Sequence, residues 1–305
     1  WRWTFPVNKL NQQTEQLSPL SSRPTYTETE NDLTVKANKR AFIFSKKDGQ
    51  LKGVSVDNRK ISFANGPRFI GARRADRSLD QFYNHDDEKA KEKDRTYSEF
   101  PDAAVFTKLD VKEDGGNLVV TANYKLGNLD KAQWTINPSG ELALDYTYNF
   151  SGVVDLMGIR FDYPEDQVIS KRWLGAGPYR VWQNRIHGTQ YDVWENDYND
   201  PIPGETFTYP EFKGYFDSVS WMNIRTKEGT ISLTNETPDS YIGVYQPRDG
   251  RDRLLYTLPE SGISVLDVIP PVRNKVNSTD LCGPSSQPKW VNGPQTGRII
   301  FRFME

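Results

Sequence analysis

The 305-residue sequence has one cysteine, Cys282, two histidines and three methionines. A single cysteine excludes an internal disulfide and leaves the redox compartment open. No Cys/His zinc spacing occurs. No apolar run approaches the ~20 residues a helix needs to cross a bilayer. Neither sign of charge prevails: 39 Lys and Arg stand against 41 Asp and Glu, a net charge of -2. Nucleic acid and anionic membrane are therefore not indicated as partners. There is no long amphipathic helix, no internal repeat, no Walker motif and no G-x-S-x-G elbow. The G-x-G of "LGAGP" lacks a third glycine and a following helix, so it is not a dinucleotide fingerprint. No cofactor is expected.

What the chain does have is length and aromatic rings. A chain this long buries about three quarters of its unfolded surface, so it needs neither disulfide nor metal to fold. Its length suits one large β domain or two smaller ones. Aromatic residues make up 12%, with 8 Trp and 15 Tyr. Two readings are open: half-buried rings in a large β core, or a surface that packs on the C–H faces of sugar rings.

The opening "WRWTFPV" has neither an initiator methionine nor a signal-peptide pattern, which reads as a mature product or a piece of a larger protein. Residues 1–37 are polar with scattered Ser, Thr and Pro, as in a linker or an arm from a preceding domain. Residues 38–305 then read as one β domain. "KKDGQ" is a hairpin turn between two apolar runs. "GNLVVTANYKL" alternates through Leu118, Val120, Ala122 and Tyr124, and "ELALDYTYNF" through Leu142, Leu144, Tyr146, Tyr148 and Phe150. The closing "GRIIFRFME" puts Ile299, Phe301 and Phe303 on one face. Residues 76–102 are highly charged without an apolar stripe and read as a solvated loop. Many short strands without helices predict an all-β sandwich.

Residues 171–185, "KRWLGAGPYRVWQNR", set Trp173 and Trp182 around Gly175, Gly177 and Pro178. Glycine there permits positive φ or close backbone approach. Trp173 is expected to pack inside, and Trp182 and Arg185 to lie past the turn, nearer the surface or an interface.

That stretch resembles the W-x-G-x-G-P…Y-x-D-R motif in the last large domain of family 2 β-galactosidases. Three more segments fit in the same order. "FIFSKKDGQLKGVSVDNRKISFANGPRFIGARRADRSLDQFYN" resembles the opening of that domain. "YPEFKGYFDSVSWMNI" resembles its PQENG…VRWL segment. "DLCGPSSQPKWVNGPQTGRIIFRF" resembles its end, where a loop carrying a tryptophan precedes a closing strand. The likeness covers roughly residues 40 to 305. Departures are Gly71-Ala72-Arg73 for Trp-Arg-Ala, Pro210-Glu211-Phe212-Lys213-Gly214 for PQENG, and Asn184 for the aspartate before the arginine.

The resemblance implies a β-supersandwich of the galactose mutarotase-like type. Such a domain leans on the catalytic barrel of the same parent chain and lends a loop tryptophan to its galactoside site. By motif position that residue is Trp290, with a hydrophobic plug between loops as the other reading. Trp182, Arg185, His187 and Glu211 complete the candidate carbohydrate-binding set. A periplasmic or secreted location goes with such degraders.

Catalysis by this chain alone is not expected. Glycoside hydrolysis needs two carboxylates across the scissile bond, and the length leaves no room for a barrel beside the sandwich. A stand-alone sugar-binding module and a hexose mutarotase remain alternatives. The second would pair His187 with Glu211 or Glu195, while His85 sits in the charged loop. "WENDYNDPIPGE" gathers Glu195, Asp197, Asn199 and Asp200, but not at EF-hand spacing, so no metal site is assigned.

Overall fold

Period-two alternation builds two antiparallel sheets that bury their apolar faces against each other. The computed structural model describes residues 22–74, 97–197, 214–244, 258–271 and 283–305. Among them, the first sheet has eleven strands. In spatial order they are β1 (Thr25–Glu28), β2 (Asp32–Ala37), β3 (Arg40–Ser45), β4 (Leu51–Val56), β6 (Ala64–Arg74), β12 (Leu156–Asp162), β19 (Ile263–Val268), β18 (Tyr241–Gly243) and β15 (Phe216–Asp217). β5 (Arg59–Ile61) adds to β4, and β7 (Tyr97–Glu99) adds to β6.

The second sheet has nine strands among the described residues. Their order is β14 (Gln190–Asp197), β13 (Val168–Gly177), β16 (Trp221–Thr226), β17 (Gly229–Asn235), β20 (Lys289–Met304), β11 (Leu142–Val154), β10 (Leu129–Ile136), β9 (Asn117–Lys125) and β8 (Val105–Asp114). Two 3-10 turns, Glu165–Gln167 and Pro284–Ser286, are the helical elements described.

The predicted alternations fall where expected. On β11 the side chains of Leu142, Leu144, Tyr146, Tyr148 and Phe150 are buried, and on β20 those of Ile299, Phe301 and Phe303. "KKDGQ" closes β3 onto β4, with Gly49 at φ 73°, a left-handed value that glycine adopts without a Cβ penalty. The polar stretch before residue 38 does contain strands: β1 pairs with β2, and β2 with β3. Within the charged stretch 76–102, residues 97–99 form β7, and 75–96 lie outside the described residues.

Aromatic rings hold the sheets together. Phe42, Phe44, Phe63, Phe69 and Phe161 reach from the first sheet, and Trp134, Tyr148, Phe301 and Phe303 from the second. Phe63 lies 5.0 Å from Phe301, Phe44 6.0 Å from Trp134, and Phe69 5.5 Å from Tyr148, in tilted pairs. Each buried ring contributes about 1.5–3 kcal/mol, and each tilted pair about 0.5–1.5 kcal/mol beyond that. Much of the aromatic content is thus core.

The far face of the first sheet carries a second, smaller cluster. Ile70, Ala72, Leu156 and Leu266 point away from the main core, and Val181, Trp182, Tyr215, Leu258 and Ile269 cover them. These covering residues come from the segments around which the candidate site is built.

Candidate functional site

The motif "KRWLGAGPYRVWQNR" begins as strand, not turn. β13 runs through Gly175 and Gly177, and the chain leaves the sheet only at the cis Gly177–Pro178 bond. Trp173 lies mid-strand with no exposed surface, its ring 5.0 Å from Phe216. Its indole N–H donates to the Ala176 carbonyl. Gly177 serves close approach: a Cβ there would stand 2.4 Å from the Trp194 ring, which crosses the backbone from β14.

After Pro178 the chain folds over the far face of the first sheet. Val181 exchanges backbone hydrogen bonds with Tyr215, at 2.7 and 2.8 Å. Trp182 and Arg185 close a tight turn, in which the Arg185 N–H donates to the Trp182 carbonyl at 2.8 Å. Trp182 is only 1% exposed and meets Tyr215 edge-on at 5.8 Å. The expectation that Trp182 lies near the surface is therefore corrected. Its ring is the lid on the smaller apolar cluster and offers no face to a ligand. Burial also pushes the Tyr215 phenol up, so it stays a neutral packing group.

Trp290 is the opposite case, with 70% of its surface exposed. It lies not in a loop but at the second position of β20, opposite Val153 of β11. Gly293, Pro294 and Gly297 give the segment a loop-like composition, yet β11 pairs with it from Val154↔Lys289 to Leu142↔Phe301 without a slip. The strand tolerates proline here because β17 reaches only Ile299–Met304, so Pro294 lies on an edge. Trp290, Asn292, Pro294 and Thr296 face outward, opposite in sense to Ile299, Phe301 and Phe303.

Gln183 joins the two tryptophans' segments. Its side-chain N–H groups donate to the carbonyls of Ser285, at 2.9 Å, and Gln287, at 2.7 Å, in the turn that leads into Trp290. Its backbone N–H donates to the Pro270 carbonyl. A buried amide thus fixes the start of β20. Sequence reasoning passed over Gln183, although it sits inside the quoted motif, because nothing in its neighbours marks which carbonyls it reaches.

Arg185 and His187 are exposed on the same segment. Glu211, Asn199 and Asp200 lie outside the described residues, as do His85 and Cys282. Glu195 and Asp197 are exposed on β14, with Glu195 4.0 Å from Arg172. Among the described residues no three His, Cys, Asp or Glu side chains converge as metal ligands. The arrangement is one of presentation: a rigid corner holds an exposed indole, with a guanidinium and an imidazole on an adjoining segment.

The sequence matches the model of the β-galactosidase small chain over residues 36–263. The chain belongs to the β-galactosidase small-chain family. A small-chain domain of this type implies a larger parent chain or a catalytic partner. Among solved structures, galactose 1-epimerase from Lactobacillus acidophilus NCFM is similar at TM-score 0.51 and 8% identity, covering 93% of this chain and 99% of that one. The GalM/aldose epimerase homologue from C. elegans is similar at TM-score 0.41 and 9% identity, covering 92% and 99%. At such identity the first likeness establishes fold alone. The small-chain domain is the all-β, galactose mutarotase-like supersandwich that the sequence leads one to expect. A search among curated proteins finds no match.

Proposed function

We propose that this chain is the accessory sandwich of a β-galactosidase-type glycoside hydrolase. It buttresses the catalytic barrel of the parent chain and lends Trp290 to the galactoside site, without hydrolysing sugar alone. The exposure of Trp290 carries this reading. A tryptophan 70% open to water, held on a strand rather than a pliable loop, is poor packing and good stacking surface. Arg185 and His187 supply donors for sugar hydroxyls on the adjoining segment, and Glu211 an acceptor. Trp182 acts from beneath by filling the corner that supports them.

The test is Trp290→Ala in the full-length parent. Sugar affinity should weaken by about 1–3 kcal/mol, the value of burying an indole face on a ring. The melting temperature of the 305-residue chain should hardly move. A large loss of stability with unaltered affinity would make Trp290 a structural plug and remove this assignment.

A further inference from the structure

The smaller apolar cluster covers only part of the first sheet's far face. Beyond it a cleft of about 670 Å³ opens between the start of β6, the end of β12 and residues 260–262. Neither Trp290 nor the segment carrying Arg185 and His187 lines it. Arg68 and Arg160 stand directly opposite each other on β6 and β12. Two like charges facing each other on adjacent strands are destabilising unless countered.

Their charge is countered. Asp162 forms an ion pair with Arg68, Glu99 lies 3.9 Å from Arg160, and Asp102 is within electrostatic reach of both. Their hydrogen bonding is incomplete. The Nε–H groups of Arg68 and Arg160 and the hydroxyl of Ser261 are buried without a partner among the described residues. Ser261 is 2% exposed and lines the cleft. An orphaned buried group of this kind costs about 1–3 kcal/mol.

We infer that the cleft binds a neutral, hydroxyl-rich ring, a monosaccharide unit, at a site separate from Trp290. An anion would add charge to a lining already in balance, in which Lys60, Arg68 and Arg160 stand with Asp162, Glu165 and Glu260. A polyol adds none. Its oxygens accept from Arg68, Arg160 and Ser261, and its hydroxyls donate to Asp162 and Glu260, which line the same space. The volume falls in the roughly 300–1,000 Å³ range of small-molecule sites.

Calorimetric titration of the 305-residue chain tests this, with galactose, glucose and mannose as neutral probes and galacturonate and inorganic phosphate as charged ones. At least one neutral hexose should saturate both the unaltered chain and Trp290→Ala with the same affinity. Ser261→Ala and Arg160→Gln should each weaken it about tenfold, the worth of one such hydrogen bond. If Arg160→Gln lowers the melting temperature, Ser261→Ala decides. Four results would overturn the inference. One is no saturation by any neutral hexose up to tens of millimolar, as for a cleft that holds only water. The others are saturation by the charged probes alone, unchanged affinity in Ser261→Ala, and binding that vanishes in Trp290→Ala. The last places the sugar at Trp290, so this inference and the proposed function fail by different results.

Discussion

Asp267 is the extra residue of a bulge in β19, where the pairing with β12 shifts between Met157↔Val268 and Gly158↔Leu266. A bulge re-aims a side chain, and this one turns a carboxyl toward the opposite sheet, where the Tyr148 hydroxyl donates to it. Burial raises the Asp267 pKa, and the Tyr148 hydrogen bond only partly offsets this. The sign follows directly. A carboxyl whose folded pKa exceeds its unfolded value contributes stability that is present below about pH 4 and lost as pH rises through the folded pKa. Asp267→Asn keeps an acceptor for Tyr148 and removes the ionisation. Relative to the unaltered chain its melting temperature should climb steadily between pH 4 and pH 7. A pH-independent difference would show that Asp267 ionises equally in both states. At this scale the sequence told little. Trp182 and Trp290 look alike along the chain, each beside Gly, Pro and polar residues. One is buried because it packs edge-on against Tyr215 in an apolar cluster with Ile70 and Leu266, all far off in sequence, and the other faces outward because β20 has odd–even sense there.

Strands were the most legible element, since alternation needs only nearest neighbours. Leu142 to Phe150 and Ile299 to Phe303 read as they fold. The errors came where glycine and proline marked loops that a long ladder overrides, as at residues 289–297 of β20 and at Gly175 and Gly177 of β13. Gly177 shows the physical reason. Its hydrogen is the contact surface for the Trp194 indole, whose N–H is fixed to the Gln190 carbonyl at 3.1 Å. Gly177→Ala forces the ring to move and should cost about 1–3 kcal/mol, as overpacking does. Urea denaturation gives the number. An unchanged midpoint would mean that the indole moves aside freely and that the glycine is not required by packing.

In the whole molecule, chain order and spatial order disagree at several places, and the decisive one is in the second sheet. β20, the last strand, lies between β17 and β11 near the middle of the second sheet, so the sheet is completed only by the end of the chain. No periodicity could reveal that neighbour list. It also places Trp290 and the core residues on one strand: the first half presents the indole, and the second half anchors it. Removing residues 289–305 would strip Ile299, Phe301 and Phe303, none with any exposed surface, from the contact with Phe63, Phe161 and Phe42. Three such losses amount to roughly 8–15 kcal/mol, as much as the ~5–15 kcal/mol stability of a typical domain. The shortened chain should therefore lose its cooperative thermal transition and bind a hydrophobic dye such as ANS, as chains without fixed packing do. A full-length chain with Ile299, Phe301 and Phe303 all changed to Ala should behave alike, which separates lost packing from lost length. A cooperative melt within a few degrees of the intact chain, in either variant, would show that the two sheets hold together without β20. The indole would then lack the rigid mounting on which its proposed role depends.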